Sequence, residues 1–329
     1  MSIFNYLLNT RIPKKAIEQI LRLFKNGPLT PPLSARKTNI IKAPTEALYL
    51  DNSSLHTTTT QLISCQPVSS LDEKTKRLAK NIAAEDFAVV TQQTIFYAQG
   101  GGQASDTGFI VRETQRGQSQ DQDDRFEVLL VRKNLDGMII HFGRFLAAER
   151  QVSQPSSSFF SPDQTVSLSI DRAKRNYHSR LHTAGHILGL AMHQLEPILG
   201  RRQELKANHF PGEASLEFEG LLYNDKHKSL IQEKVDEIVA QALPVKCSWW
   251  DPAQVEAKKE ELRLVEGRLE EVGAMGRVRV AEIADLDASP CGGTHVESTA
   301  LTGRITIRKI SRVKGGSRVS YEVPVDFDF

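Results

Sequence analysis

Cysteine is scarce in this chain of 329 residues, with Cys65, Cys247 and Cys291 the full complement. The three show no paired spacing and the chain carries no secretory signal, which excludes a disulfide framework and points to a reducing interior compartment. Long hydrophobic runs are also missing. None reaches the roughly 20 residues that a membrane-spanning helix needs, so no membrane partner is expected. An excess of charge of one sign is absent too: 42 Lys and Arg against 40 Asp and Glu leave a formal net charge of +2, which does not by itself mark a nucleic-acid binder. The distribution is more telling. From Arg304 to Arg318 the sequence RITIRKISRVKGGSR holds Arg304, Arg308, Lys309, Arg312, Lys314 and Arg318 without one acid, and Arg172, Lys174, Arg175 and Arg180 crowd a second stretch. Such clusters suit a polyanion, and the competing reading is a solvated face.

Against this background two short motifs stand out, HTAGH at 182–186 and CGGTH at 291–295. The first lies in RLHTAGHILGLAMHQL, where Leu181, Ile187, Leu188, Leu190 and Ala191 recur at helical intervals. An i, i+4 spacing then sends the His182 and His186 imidazoles from one helix face. The second follows the apolar stretch around Val278, Val280 and Ile283. Pro290 ends regular structure there, and Gly292 and Gly293 let the backbone turn tightly enough for Cys291 and His295 to converge. Brought together, the two pairs complete a four-ligand zinc site, a ligand set that would also take cobalt or nickel. The alternative is a buried thiol beside a hydrogen-bonded histidine. His178, one turn back on the same helix face, competes with His182 or His186 and is ranked as a supporting or RNA-facing residue. His193, His56, His141, His209 and His227 have no comparable partners along the chain.

A third motif lies far upstream. Residues 94–108 read TIFYAQGGGQASDTG, a β-favouring start, three glycines, Gln103 and a turn-forming Ser105-Asp106-Thr107-Gly108. This FY, GGGQ and DTG segment, the HxxxH helix and the late CGGTHV, in that order, are the hallmarks of the free-standing alanyl-tRNA editing proteins of the AlaX type, relatives of the editing domain of alanyl-tRNA synthetase. The chain resembles that family from about Thr45 to about Val323, including IDRAKRNYHSR before the helix and LTGRITIRKI after CGGTHV. Threonyl-tRNA synthetase editing domains share the HxxxH and the late Cys/His pair but not the GGGQ segment, so the upstream motif turns the reading towards alanine tRNA. Leu205 and Asn208 depart from a QKGS-like stretch that related editing domains carry, which leaves amino-acid preference less defined than reaction type.

The resemblance implies a zinc ion held by His182, His186, Cys291 and His295, and hydrolysis of the ester that joins serine, and glycine in second place, to alanine tRNA. Four protein ligands are the usual mark of a closed structural zinc, whereas hydrolytic zinc keeps an open position, so either one ligand yields or the metal shapes the pocket. Thr183 and Thr294, inside the ligand motifs, are candidate catalytic contacts for the substrate hydroxyl or terminal ribose, with local backbone hydrogen bonding as the competing reading. Gln103 joins them, and Gly101 and Gly102 are candidate substrate-binding residues whose backbone permits close approach. Arg180, Arg312 and Lys314 are the candidate tRNA-facing cations. No carboxylate stands out as a general base; Glu213, Glu217 and Glu219 read as one solvated strand face. The competing readings are a non-catalytic tRNA-binding or regulatory protein on the same fold, and an editing hydrolase for another aminoacyl-tRNA such as seryl-tRNA for threonine.

The expected fold class is α+β. Residues 1–43 form an extension that is basic and nearly free of acids, which fits a cytosolic, tRNA-holding segment and a mitochondrial presequence about equally; the protein is expected in the cytoplasm. Residues 44–150, with short apolar runs between turns, predict a small β-barrel-like domain with a polar insert near 114–124. Residues 151–164 read as linker. Residues 165–329 predict the zinc-binding editing domain, with helices packed on an antiparallel sheet. Helices are expected over 225–242 and 258–272, and strands near 214–218, 278–283, 304–310 and 318–323. No charging domain is visible in the sequence, and the expectation is a stand-alone enzyme acting in trans.

Overall fold

The computed structural model describes residues 44–113, 125–146, 160–258 and 276–326. Its first half is built from β1 (Glu46–Ala47), β2 (Thr57–Pro67), a short helix α1 (Glu73–Lys76), β3 (Phe87–Thr91), β4 (Gln93–Thr94), β5 (Gly108–Arg112), β6 (Arg125–Lys133), β7 (Ile139–Phe145) and β8 (Thr165–Ile170). Six of these strands close a barrel in the order β2-β3-β7-β6-β5-β8, and β1 pairs with β4 in parallel beside it. Period-2 burial drives the closure. Phe126 and Val128 on β6 and Val166, Leu168 and Ile170 on β8 all point into one core with Leu62, Val89 and Ile110. The alternation breaks where register shifts, between Leu62 and Ser64 on β2 and between Val128 and Leu130 on β6; such bulges bend strands and help a six-stranded sheet to close.

β8 lies on the far side of the boundary drawn from sequence at residues 164 and 165. It pairs with both β2 and β5 and completes the barrel. Its Val166, Leu168, Ile170 pattern would suit either domain, and only pairing decides. Phe160, from the stretch read as linker, is buried among Phe126 and Phe145 in the same core. The extension at 1–43, the insert at 114–124, the linker residues 151–159 and nearly all of the helix expected over 258–272 fall outside the described residues.

β8 runs directly into the long helix α2 (Arg172–Gln194). Asp171 caps it by accepting from the Lys174 amide at 3.1 Å. After it come α3 (Glu196–Leu199), β9 (Glu204–Asn208), β10 (Ser215–Glu219), α4 (Asn224–Ala240), β11 (Val245–Trp250), α5 (Pro252–Ala257), β12 (Val278–Ile283), β13 (Asp287–Pro290), β14 (Thr306–Val313) and β15 (Gly316–Glu322). Four strands form an antiparallel sheet in the order β14-β15-β10-β9, and a second sheet has the order β11-β12-β13. α2 and α4 cover the first sheet and share with it a core of Leu181, Ile187, Leu188, Leu216, Phe218, Ile231, Val235, Ile307 and Val319. The arrangement is α+β, as the sequence pattern predicts. Among the described residues no helix is long and apolar enough to cross a membrane.

One barrel residue carries a pH signature. His141 on β7 is fully buried, with Nδ1 donating to the Val89 carbonyl at 3.0 Å and Nε2 accepting from the Thr94 hydroxyl at 2.8 Å. This is the neutral tautomer. Burial pushes its pKa from 6.5 to about 4. Above 6.5 the ring is neutral whether the chain is folded or not. As pH falls from 6.5 towards 4, the unfolded chain takes up a proton that the native barrel refuses, and stability is lost, by on the order of 3 kcal/mol at the lower limit. Chemical denaturation of His141→Gln against the parent at pH 7 and pH 5 should show a shallower pH slope in the variant. Equal slopes would contradict this account.

Candidate metal centre

The helix delivers its two histidines as their spacing implies, on one face, with ring centroids 5.3 Å apart. The second pair arrives from the other sheet. β13 ends at Pro290, and the Cys291 amide donates to the Arg279 carbonyl on β12 at 3.0 Å, fixing where the turn begins. Within the turn the Gly293 amide points back at the Cys291 sulfur, 3.3 Å away. Cys291 Sγ stands 3.4 Å from His182 Nε2 and 3.3 Å from His295 Nε2. The donor atoms of His182, His186, Cys291 and His295 all lie within 4.8 Å of one another.

A second layer orients these ligands. Gln103 from the GGGQ turn is fully buried, and its Oε1 accepts from His182 Nδ1 at 2.7 Å and from the Thr294 amide at 3.1 Å. Its Nε2 donates to the Thr294 hydroxyl at 2.9 Å, and that hydroxyl lies 2.7 Å from Ser179 Oγ on α2. Holding the proton on His182 Nδ1 leaves Nε2 as the lone pair turned towards Cys291. Thr183 does the same service for His295, with its Oγ1 3.2 Å from His295 Nδ1 while it accepts from the Val296 amide at 3.2 Å. One side chain from the barrel region thus bonds to both ligand motifs. Gly293 makes this approach feasible, since a Cβ there would sit 2.1 Å from His182 Cε1 and 3.0 Å from Gln103 Oε1. Gly293→Ala should therefore displace His182 from Gln103 and weaken metal affinity at least about tenfold while the fold persists. Competition with a chromophoric chelator would measure it, and parent-like affinity would contradict the packing argument.

The electrostatics favour neutral, metal-ready imidazoles. His182 and His295 are both held well below the ordinary histidine range, first by burial. For His182 the neighbouring His209, His295, His186 and Arg279 add to the effect, and for His295 Arg279 and His209 do. His209 is a member of the site that sequence spacing did not reveal. Its ring stacks on His182 at 4.1 Å between centroids, and its Nδ1 bonds to the Tyr321 hydroxyl at 2.6 Å, which in turn donates to the Leu181 carbonyl at 3.0 Å. Residues 182, 209 and 321 come from a helix, a loop and a strand, with no local pattern linking them.

Other expectations are corrected. Gln103, Thr183 and Thr294, read as catalytic candidates, are each 0% exposed, and their polar atoms are committed to the ligands and to one another. As placed, they hold the rings and the turn that carry the donor atoms. Gly102 does allow a close backbone approach, but to protein: with φ at +78°, a Cβ would lie 2.8 Å from the Ala207 carbonyl oxygen on β9, and the Gly102 carbonyl accepts from the His209 amide at 2.8 Å. Gly101, at φ +50°, belongs to the same turn. Arg180, expected to face tRNA, is 1% exposed and donates to the Thr302 carbonyl through Nε at 3.1 Å and Nη2 at 2.9 Å. Arg175, from the same basic stretch, is equally buried against Asp106 of the DTG motif. Arg312 and Lys314 do stand exposed near the β14–β15 turn. Of the three glutamates, Glu213 and Glu219 are exposed, while Glu217 pairs with Arg318 at 2.7 Å and is only partly so. His178 is buried, with a pKa lowered chiefly by desolvation.

The donor set fits zinc. For tetrahedral Zn²⁺ with Zn–N near 2.1 Å and Zn–S near 2.3 Å, neighbouring donors stand roughly 3.3–3.6 Å apart. The observed Cys291 contacts at 3.4 and 3.3 Å fall in or beside that range. Three imidazoles and a thiol are the ligand chemistry that zinc prefers, and Gln103 and Thr183 already bond to the Nδ1 atoms of His182 and His295.

The molecule thus combines a closed barrel, an adjoining α+β layer and a buried His/His/Cys/His group able to hold a metal. Residues 278–318 match the family described as threonyl and alanyl tRNA synthetase second additional domain, and residues 34–160 match tRNA synthetases class II (A). The alanyl-tRNA editing protein AlaX-M of Methanosarcina barkeri is 30% identical over 244 residues, covering 74% of this chain and 90% of that protein. The chain belongs to the alanyl-tRNA editing protein family. It is also similar to the alanine–tRNA ligases of Fervidobacterium nodosum, at 30% identity over 68% of the chain, and of Pelotomaculum thermopropionicum, at 29% over 74%. It covers only 23% and 25% of the length of those two ligases.

Proposed function

We propose that this protein is a trans-acting hydrolase that removes serine, and glycine in second place, from mischarged alanine tRNA, with zinc held by His182, His186, Cys291 and His295. The observation that carries the proposal is the shared hydrogen-bond network of the two ligand motifs and the GGGQ turn, in which Gln103 bonds to His182 and Thr294 at once. Bound zinc supplies positive charge that polarises and orients the ester. The side chains around it do the rest of the preparation. Gln103 and Thr183 hold two ligand rings by their Nδ1 atoms, and burial keeps those rings neutral. Water adds to the ester carbonyl, the bond to the terminal ribose oxygen breaks, and that oxygen takes a proton. The products are the free amino acid and a tRNA ready for recharging. Exposed Arg312 and Lys314 offer charge to the tRNA backbone.

Release of serine from seryl-tRNA for alanine tests this directly, run beside alanyl-tRNA for alanine and seryl-tRNA for threonine. Selective release from the first substrate is expected. Release from none of them would make the chain a binding protein on an editing fold, and preference for threonine tRNA would reassign its substrate.

A further inference from the structure

Arg279 lies within β12 and is 1% exposed. Among the described residues no carboxylate pairs with it; its guanidinium serves three backbone carbonyls and also bonds to the Cys247 thiol. Nε donates to Leu50 at 2.8 Å, and Nη1 donates to Cys291 at 2.7 Å and to Gly293 at 2.9 Å. Two of those carbonyls belong to the turn that carries Cys291 and His295. The third belongs to the 3-10 turn Leu48–Leu50, ahead of the barrel strands. The Arg279 carbonyl also accepts from the Cys291 amide at 3.0 Å, so residue 279 grips Cys291 through backbone and side chain together. Its register partner Trp249 on β11 makes a parallel link, donating from Nε1 to Asp51 at 2.8 Å.

A guanidinium taken out of water without a carboxylate is costly, and neutral carbonyls offset only part of that cost. What the buried guanidinium holds accounts for its place: two of its carbonyl acceptors lie in the turn that carries Cys291 and His295. We infer that Arg279 is a positioning residue for the metal centre: it clamps the Cys291–His295 turn to the 3-10 turn on the barrel side of the molecule and so fixes where the Cys291 sulfur and the His295 ring stand. This rests on the four-donor reading of the site and is independent of which ester is cleaved.

Cobalt(II) is the probe, because thiolate coordination gives it a sulfur-to-metal charge-transfer band in the near ultraviolet. Arg279→Met should weaken Co²⁺ and Zn²⁺ affinity about 10- to 100-fold and shift that band. Arg279→Lys cannot serve all three carbonyls, and should recover only a small part of the affinity, with the band still shifted. A purely structural role would lower the thermal stability of the metal-free variants and leave the band where it is. Parent-like affinity and an unmoved band in Arg279→Met would overturn the inference. If that variant does not fold, the same result in Arg279→Lys would overturn it. Deacylation by the parent chain is assayed in parallel: metal binding without ester hydrolysis would remove the functional proposal and leave this one standing.

Discussion

Replacing Cys291 with serine should strip the cluster of its metal and lower deacylation of seryl-tRNA for alanine by about a thousandfold, equivalent to roughly 4 kcal/mol of transition-state stabilisation. The direction follows from the donor set. Cys291 Sγ is within 3.4 Å of both His182 Nε2 and His295 Nε2, so it sits between the helix pair and its own turn. A hydroxyl in its place is a poor zinc ligand and brings no negative charge at neutral pH. The fold should survive, because the turn is also held by the Cys291 amide and by carbonyls that accept from Arg279. Metal content by elemental analysis, single-turnover deacylation and near-ultraviolet circular dichroism on one preparation separate the three effects. Full activity in a metal-free Cys291→Ser protein, and again in Cys291→Ala with His186→Ala, would remove zinc from the mechanism. Weak acid should not mimic the substitution: burial holds the His182 and His295 pKa values well below the ordinary range, so protons displace metal from their nitrogens only at pH well under 6.5.

The ligands were legible because each pair is local. An i, i+4 repeat on a helix and a Cys-Gly-Gly-Thr-His turn place donors within one element, and helical periodicity and glycine conformation are sequence-level facts. The helix α4 and the strands β12 and β15 likewise fall close to where apolar spacing puts them. What failed was reasoning about charge and polarity across elements. Arg175 and Arg180 belong to a basic run that reads as surface, yet each spends its guanidinium inside the protein. Gln103, Thr183 and Thr294 have the chemistry of substrate contacts, but their partners lie 191 and 112 residues away, close enough to consume every polar atom. The closing barrel strand β8 is ambiguous in sequence for the same reason. Alternation specifies that a strand has a buried face, and pairing is decided by residues about 60 and 110 positions distant.

Sequence reads the DTG segment as a turn and a family mark, and the structure gives it a mechanical role with a large expected effect. Asp106 and Arg175 are each 1% exposed and form an ion pair at the start of α2. Arg175 Nε reaches both carboxylate oxygens at 3.1 Å, and Nη1 and Nη2 also donate to the Ser53 and Ile95 carbonyls at 2.7 and 2.6 Å. Asp106 further accepts from the Tyr97 amide at 2.7 Å, while the Thr107 carbonyl accepts from Asp171, the helix cap, at 2.8 Å. The pair therefore joins barrel, GGGQ turn and metal helix at one point. A buried pair of this kind adds little net stability over an apolar substitute, but removing one partner strands the other charge without water. Arg175→Met should cost about 3–5 kcal/mol, a large share of the roughly 5–15 kcal/mol that holds a typical domain. Asp106→Asn should cost less, since a neutral amide remains a hydrogen-bonding partner, and Arg175→Met with Asp106→Leu should recover part of the loss. Urea denaturation of the single and double variants gives the coupling energy. Because the pair sits two helical turns before His182, metal affinity should fall with stability in Arg175→Met and return with it in the double variant. A double variant no more stable than Arg175→Met would show that the contacts to Ser53 and Ile95, and not the stranded carboxylate, set the cost.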